Sequence, residues 1–477
     1  MLRFMKTYPL YLNGEPVVPG PGLDVLDPAV GEPFAKIATI DRAGVARAIE
    51  DAHEAFGGWR NTTAKARGAY LRRIAGELGR RGEEVARMIG AENGKPLEQA
   101  RGEVAISIDH LEWFAEEGRR AYGRVIPHQA DGKRNLVVKT PVGVVAAISP
   151  WNFPLMLSVR KVAPALAAGC PVILKPARQA PLACAIFAEC VHAAGLPRGV
   201  FQMVCGPSDE FAAEFLSNPL CRQVTFTGSS GVGRSLIRRA AETIRPLSLE
   251  LGGQAAALVF ADADMGRALE GVLLAKMRNT GQSCIAANRI YVERAAYGLF
   301  LDAFVARVRA LKVGAFDEPG VEIGPLIDAA ALAGALAHIE DAVRRGARLV
   351  CGGRRMDRRG FFLEPTVLAD VPPDALCMRE ETFAPVAPVA VFETEAEAIR
   401  LANSTAYGLS AYAFTSDVGR VFRLAESVEA GMLGINDGLP TTSNAPFGGV
   451  KQSGWGRELG SEGIDAFLQT KHISIRI

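Results

Sequence analysis

The sequence predicts an α/β protein: a parallel sheet covered by helices on both faces, followed by a second α/β unit. Three observations predict it. Between residues 142 and 260, short apolar runs alternate with helix-like stretches. A second alternating set runs from about Arg289 to Asn436. A chain of 477 residues is also too long for one hydrophobic core.

Taken in order, the first hundred residues read as mostly helical, and charged runs such as Leu71–Met88 read as solvated helix faces. Gly123–Val138 is strand-like and isolated. Strands follow at Val142–Ile148, Pro171–Leu174, Phe201–Val204, Gln223–Phe226 and Leu247–Leu249. Between them lie the helix patterns Leu155–Ala168, Leu182–Ala194, Asp209–Leu216 and Gly233–Ala241; Gly195 followed by Pro197 stops the second. The second set has strand candidates Arg289–Val292, Val386–Phe392, Ser410–Phe414 and Met432–Ile435. The C-terminal Gly463–Ile477 is again strand-like and isolated, and suits a protruding arm with Gly123–Val138. Open parallel sheets bind ligands at the carboxyl ends of their strands.

Composition narrows the function. Apolar residues make up 49% and charged residues 22%, as in a soluble globular chain. A net charge of +2 provides no basic field for nucleic acid. The expected partners are small molecules and further copies of the chain. No segment reaches the ~18 apolar residues of a membrane span; the best candidate, Val162 to Leu174, is bounded by Lys161 and Lys175. The N-terminal MLRFMKTYPL lacks a secretory apolar stretch, so the expected location is the cytoplasm. None of the eight cysteines forms a C-x-x-C pair or sits at zinc-like spacing with histidine, so no metal is expected.

Five places carry candidate chemistry. Cys284, in RNTGQSCIAANR, follows Gly and Gln, so backbone there can approach a ligand closely. A loop cysteine is also commonly structural. Glu250 sits in the apolar run PLSLELGGQAAALVF, where burial raises a carboxyl toward the range of a general base; the alternative is a pairing with a backbone amide. Asn152, in SPWNFP just past a strand, is placed to donate to a developing oxyanion, or is simply a turn asparagine. Lys175 ends the strand PVILK, either reaching a cofactor ribose or phosphate or snorkelling into solvent. FTGSSGVG, residues 226–233, follows a strand and opens a helix whose free N–H groups suit a pyrophosphate.

Together PWNFP, LKPA, FTGS, LELGG, GQSC, EETF and PFGGVKQSG resemble the aldehyde dehydrogenase superfamily in order and spacing, over nearly the whole chain. VRKVAPALAAGC, ANRIYV and IGPLID place the likeness nearest succinate-semialdehyde dehydrogenases. The resemblance implies an NAD(P)-dependent aldehyde dehydrogenase. Cys284 is then the nucleophile, Glu250 the general base and Asn152 the oxyanion donor. Ser149, Pro150, Trp151, Lys175, Ala177, Arg178, Gly228, Ser229, Gly233 and Leu251 fall on cofactor-binding positions, and Glu381 and Phe383 on those that place the nicotinamide ribose. The implied fold is a Rossmann-type cofactor domain (1–122 and 142–250), a catalytic domain (251–450) and a strand arm (123–141 and 463–477). That arm would join a homodimer or homotetramer.

The same resemblance sets Arg160 and Arg278 where the substrate carboxylate is held, with a hydroxyl from Thr441 or Thr442 in the closing loop LPTTSN. Succinate semialdehyde is the first expectation. Glutarate and 2-oxoglutarate semialdehydes, or plain aliphatic or aromatic aldehydes, are the alternatives. A coenzyme A-acylating enzyme is disfavoured because it would not need Glu250. Two departures matter. Arg178 stands where NAD-preferring members carry glutamate, which favours NADP over NAD. Ala286 stands where some relatives have a second cysteine, so no redox switch is expected, and Ala384 replaces the usual glycine after EETF.

Overall fold

In the computed structural model, which describes residues 5–20 and 22–477, the alternation between 142 and 260 builds one eight-stranded sheet. Its order is Gly454–Trp455, Leu247–Glu250, Cys221–Thr227, Val144–Ile148, Val172–Lys175, Phe201–Met203, Leu10–Leu12, Glu15–Val17. The five middle strands are parallel. Antiparallel strands close both edges. Successive side chains point to opposite faces. Val144 and Ala146 therefore pack with Ile49, Phe211 and Leu236 on one face, and Val145 and Ala147 with Leu155, Val162 and Phe187 on the other. Burial on both sides is why these strands are unbroken apolar runs.

The chain lays down Val144–Ile148, moves outward through Val172–Lys175 and Phe201–Met203, then returns to place Cys221–Thr227 on the other side of the first strand. That reversal leaves the segments after Ile148 and after Thr227 side by side at the carboxyl ends, the position where open sheets take ligands.

A second sheet has seven strands in the order Arg348–Cys351, Thr366–Ala369, Val386–Phe392, Ala287–Glu293, Ala255–Val259, Ser410–Phe414, Met432–Ile435. Only the first is antiparallel. Ala255–Val259, not expected as a strand, lies within the body of this sheet. Its run AAALV has helix-like composition, but burial of every residue and pairing on both edges override that preference.

Residues 42–117 form four helices, Arg42–Arg60, Ala64–Arg80, Gly82–Asn93 and Leu97–Glu117. Ahead of them the expectation of helix fails: Thr7–Tyr8, Leu10–Leu12, Glu15–Val17, Leu23–Asp27 and Glu32–Ile37 are short strands. Pro9, Pro16, Pro19 and left-handed Gly14 and Gly20 exclude helix there. Pairing of Tyr11 with Met203 then supplies the order that local pattern lacks.

The two isolated segments pair with each other. Lys133–Pro141 runs antiparallel to Leu468–Arg476, with Arg124–Ile126 on its other edge. Among the described residues no helix is long and apolar enough to cross a membrane. Val162–Leu174 ends a buried helix, Pro154–Ala168, and enters a buried strand. The N-terminal stretch MLRFMKTYPL begins in residues 1–4, outside the described residues.

Candidate active site

At the reversal point lies a cleft of about 600 Å³. Pro150, Trp151 and Asn152 line it from beyond Val144–Ile148, Thr227, Gly228 and Ser229 from the end of Cys221–Thr227, and Glu250, Leu251 and Gly252 from the end of Leu247–Glu250. The second unit closes it with Cys284, Glu381 and Phe383. Three strand ends of one sheet thus meet a loop of the other.

Glu250 is held in register between Thr227 and Gly454. Gly454 has φ +119, and a Cβ there would stand 2.0 Å from the Leu249 carbonyl, so only glycine permits this pairing. A Cβ on Gly253 would stand 2.2 Å from the Cys284 carbonyl. The LELGG motif is therefore the surface on which the cysteine loop rests. Ser453 pins the same turn, donating to the Gly252 carbonyl at 2.8 Å.

The cysteine loop is strained on purpose. Asn279, Thr280 and Gly281 are all left-handed, at φ 52, 59 and 72. Each conformation has a support. The Asn279 amide donates to the carbonyls of Asn152 and Gln282, at 2.8 and 3.0 Å. Thr280 Oγ1 accepts from the Gly324 amide at 2.9 Å. A side chain on Gly281 would strike the Ala384 carbonyl. Without those bonds a β-branched residue such as Thr280 would not stay left-handed.

Asn152 is gripped through its backbone. Its carbonyl accepts from Asn279 and from Lys95 Nζ at 2.9 Å. Lys95 pairs with Glu103, and both are fully buried. Glu103 also accepts from the Leu155 and Met156 amides, capping the first turn of Pro154–Ala168. The Asn152 side-chain amide donates to the Gln282 carbonyl at 3.1 Å, which leaves its second hydrogen for a ligand.

Both Glu250 carboxylate oxygens are buried without a hydrogen-bond partner. Burial, then the neighbouring Glu458, pushes this carboxyl up to about 7, against the pull of Lys161, Cys284 and Arg160. Burial and the charges of Glu250 and Glu381 hold the Cys284 thiol well above its ordinary value, while Arg160 opposes them. Both shifts favour the neutral forms, a thiol and a carboxyl. Glu381 rises to about 8 by burial, although its Oε1 accepts from the Gly253 amide at 3.2 Å. Phe383 is left-handed and sets its ring edge-on against Trp151, 5.5 Å between centroids, across the cleft.

Other expected residues lie outside the cleft lining. The Ser149 hydroxyl turns inward to Ser158 at 2.7 Å. Lys175 is buried at the end of the next strand. Ala177 is half-buried, and Arg178 is exposed on a separate hollow beside Asp24, Glu92 and Asp328. Gly233 lies inside the helix Ser230–Ala241, where it lets Leu251 pack close. Ala286 and Ala384 are buried.

Arg160 is 2% exposed, with its guanidinium 4.4 Å over the Phe447 ring. Arg278 stands 5.0 Å over Phe153 and lines a second hollow with Ile106, Met277 and Leu439. Burial disfavours the charge of both guanidinium groups; Glu458 and then Cys284 offset this at Arg160, and Glu103 offsets it at Arg278, where Arg160 adds to the penalty. Thr441 is half-buried, and exposed Thr442 bonds Asn444. Neither threonine bonds the arginines.

Several residues were not anticipated. Lys161 donates to Thr227 Oγ1 and Glu458 at 2.6 and 2.5 Å, one layer behind Glu250. Lys95, Glu103, Asn279, His110 and Ser443 were missed as well. A charge inside an apolar helix, as in VRKVAPALAAG, was the available signal for Lys161; it is the same signal that marked Glu250.

The fold and cleft define an aldehyde dehydrogenase, and the chain belongs to that family: the pattern described as the aldehyde dehydrogenase family matches residues 18–473. The chain is 47% identical to the glutarate-semialdehyde dehydrogenase of Pseudomonas aeruginosa, over 96% of this chain and 94% of that protein. It is 46% identical to the succinate-semialdehyde dehydrogenase (NADP(+)) of Escherichia coli strain K12, over 96% and 95%. The crystal structure of succinate-semialdehyde dehydrogenase from Burkholderia pseudomallei superposes with a TM-score of 0.97 at 45% identity, covering 98% of each chain.

Proposed function

We propose that this chain oxidises a short aldehyde carrying a carboxylate, succinate semialdehyde first, to the dicarboxylate, with NADP preferred over NAD. The observation that carries this reading is the pair Arg160 and Arg278. Among the described residues neither forms a salt bridge, whereas buried Lys95 and Lys161 each have a glutamate. Arg160 is buried and Arg278 half-buried; a desolvated guanidinium without an anion is costly unless a ligand brings one, and its planar fork matches a carboxylate. The two curated relatives are named for a glutarate and a succinate semialdehyde.

The cleft fits a dinucleotide. Ser230 Oγ is buried without a partner at the start of Ser230–Ala241, and a side chain on Gly231 would meet nothing within 4 Å. When bound, the nicotinamide cofactor supplies the two-electron acceptor that the oxidation requires. Lys175 and Arg178 would hold its adenosine end, where two cations favour an added phosphate. Gly228 and Ser229 would hold the pyrophosphate, and Glu381 and Phe383 the nicotinamide ribose. Residues 1–122 and 142–250 are then the cofactor domain and 251–450 the catalytic domain. The arm, 123–141 with 463–477, joins copies into a homodimer or homotetramer, and the expected compartment is the cytoplasm.

Ionised Glu250 takes the Cys284 proton, and the sulfur attacks the aldehyde carbon. The free Asn152 amide hydrogen and the Cys284 backbone N–H face the oxyanion. Once the thioester has formed and Glu250 has released that first proton to solvent, Glu250 removes a proton from water, the hydroxide adds to the thioester carbon, the carbon–sulfur bond breaks, and the sulfur takes the proton back from Glu250. A buried carboxylate beside the sulfur suits this hydrolysis and has no task in transfer to coenzyme A.

The test is a panel of succinate semialdehyde, glutarate semialdehyde and butanal, assayed with NAD and NADP. Arg160→Met and Arg278→Met should each lower kcat/KM for the semialdehydes by about ten- to a hundredfold and spare butanal. Arg178→Glu should move preference toward NAD. An unchanged ratio of semialdehyde to butanal efficiency in both methionine variants refutes the substrate reading.

A further inference from the structure

One side of Arg160 is bonded to a group outside the chemistry described above. Arg160 Nε donates to His110 Nε2 at 3.1 Å. His110 Nδ1 lies 2.8 Å from Ser443 Oγ, and Ser443 Oγ bonds Asp109. The direction of this chain follows from the donors alone. A guanidinium N–H can only donate, so His110 Nε2 must accept. The imidazole is then neutral with its proton on Nδ1, which donates to Ser443 Oγ. The hydroxyl is left to donate to the Asp109 carboxylate. A charged imidazole would set N–H against N–H, and burial together with Arg160 does hold His110 well below its ordinary value.

The chain runs through three elements. His110 and Asp109 belong to the helix Leu97–Glu117, Arg160 to Pro154–Ala168, and Ser443 to the loop 439–444. Arg160, His110 and Ser443 are buried, while Asp109 is at the surface. With Nε on His110 and one face over Phe447, the guanidinium is fixed in orientation, and Nη1 has no partner among the described residues. Ser443 turns inward between Thr442 and Asn444, which both face solvent, so the same bonds tie down the loop that carries Thr441.

We propose that His110, with Ser443 and Asp109 behind it, is a specificity-positioning residue: it holds Arg160 as a preformed carboxylate receptor and couples that receptor to the 439–444 loop. This rests on the substrate reading above and adds a second layer to it. The layer fixes the receptor before substrate arrives, so less ordering is needed on binding. Its loss acts on carboxylated aldehydes and spares neutral ones.

The experiment measures kcat and KM for succinate semialdehyde and butanal in the intact enzyme and in His110→Phe, His110→Gln, Ser443→Ala and Arg160→Met. His110→Phe keeps a ring and removes the acceptor. It should raise KM for succinate semialdehyde about tenfold, with kcat and both butanal constants little changed. His110→Gln should restore most of the loss, because a glutamine amide oxygen reaches the position of Nε2. Ser443→Ala should shift KM in the same direction by a smaller factor. If Arg160→Met lowers semialdehyde preference while folded His110→Phe and Ser443→Ala do not, the positioning role is overturned and the substrate reading stands. If Arg160→Met itself leaves preference unchanged, the substrate reading fails first. Should His110→Phe not fold, Ser443→Ala decides, and an unaltered KM ratio there overturns the proposal. Equal losses for semialdehyde and butanal would show a merely structural residue and overturn it too.

Discussion

At Glu250 the two carboxylate oxygens lie buried without a donor, and ionisation moves up to about 7. As the proposed base, it works only when ionised. Below pH 7 a growing fraction is protonated, so kcat/KM should fall about tenfold per pH unit there and level off above. Stopped-flow and steady-state rates between pH 5.5 and 8.5 check this, and Glu250→Gln should lose the inflection together with the hydrolytic step. A profile flat through pH 7 in the unaltered enzyme would remove Glu250 from the role. Much at this scale was legible in the sequence. A lone glutamate in PLSLELGG and a glycine-flanked cysteine already suggested a buried acid and an accessible thiol. The sequence did not show that Thr280, a β-branched residue, would be left-handed two residues before Gln282. That conformation is supported by Gly324, 44 positions away, whose amide donates to Thr280 Oγ1.

The helix Pro154–Ala168 starts two residues after Asn152, the proposed oxyanion donor, and its first amides have no intrahelical partners. Glu103 satisfies two of them, and Lys95, paired with that carboxylate, donates to the Asn152 carbonyl. Lys95→Met leaves Glu103 a buried, uncompensated charge. It should cost about 3–5 kcal/mol in thermal or denaturant unfolding. It should also lower kcat about ten- to a hundredfold by loosening Asn152, with cofactor affinity unchanged. A double-mutant cycle with Asn152→Ala separates the two effects: kcat losses should not add, whereas stability losses should. Additive kcat losses would show that Lys95 acts elsewhere. The helix itself was readable from its period, with its end set by Gly169 in the left-handed region. Its anchor was not, because Lys95 and Glu103 stand 57 and 52 positions from their backbone partners.

On the scale of the molecule, the arm is a three-stranded antiparallel sheet on which Val125 and Ile475 are 74% and 40% exposed. Exposed apolar side chains on a strand edge are suited to a second copy. Val125→Asp with Ile475→Asp should therefore give a smaller assembly by sedimentation, with far-UV circular dichroism unchanged; an unaltered mass would place the contact elsewhere. Strand and helix periods of the first sheet were visible in the chain because parallel strands buried on both faces leave continuous apolar runs. Ala255–Val259 gives no such signal, because its alanines carry no strand preference, and in residues 7–37 recurring prolines and glycines break the pattern. Local chemistry thus specified the reacting residues and most of the elements that bear them, since backbone preference and burial pattern act over a few positions. Folding alone decided which charges stand unpaired. Arg160 and Arg278 look like any other arginines in the chain; the proposed receptor arises only because Glu103 and Glu458 pair with Lys95 and Lys161, which leaves both guanidinium groups without a salt bridge among the described residues.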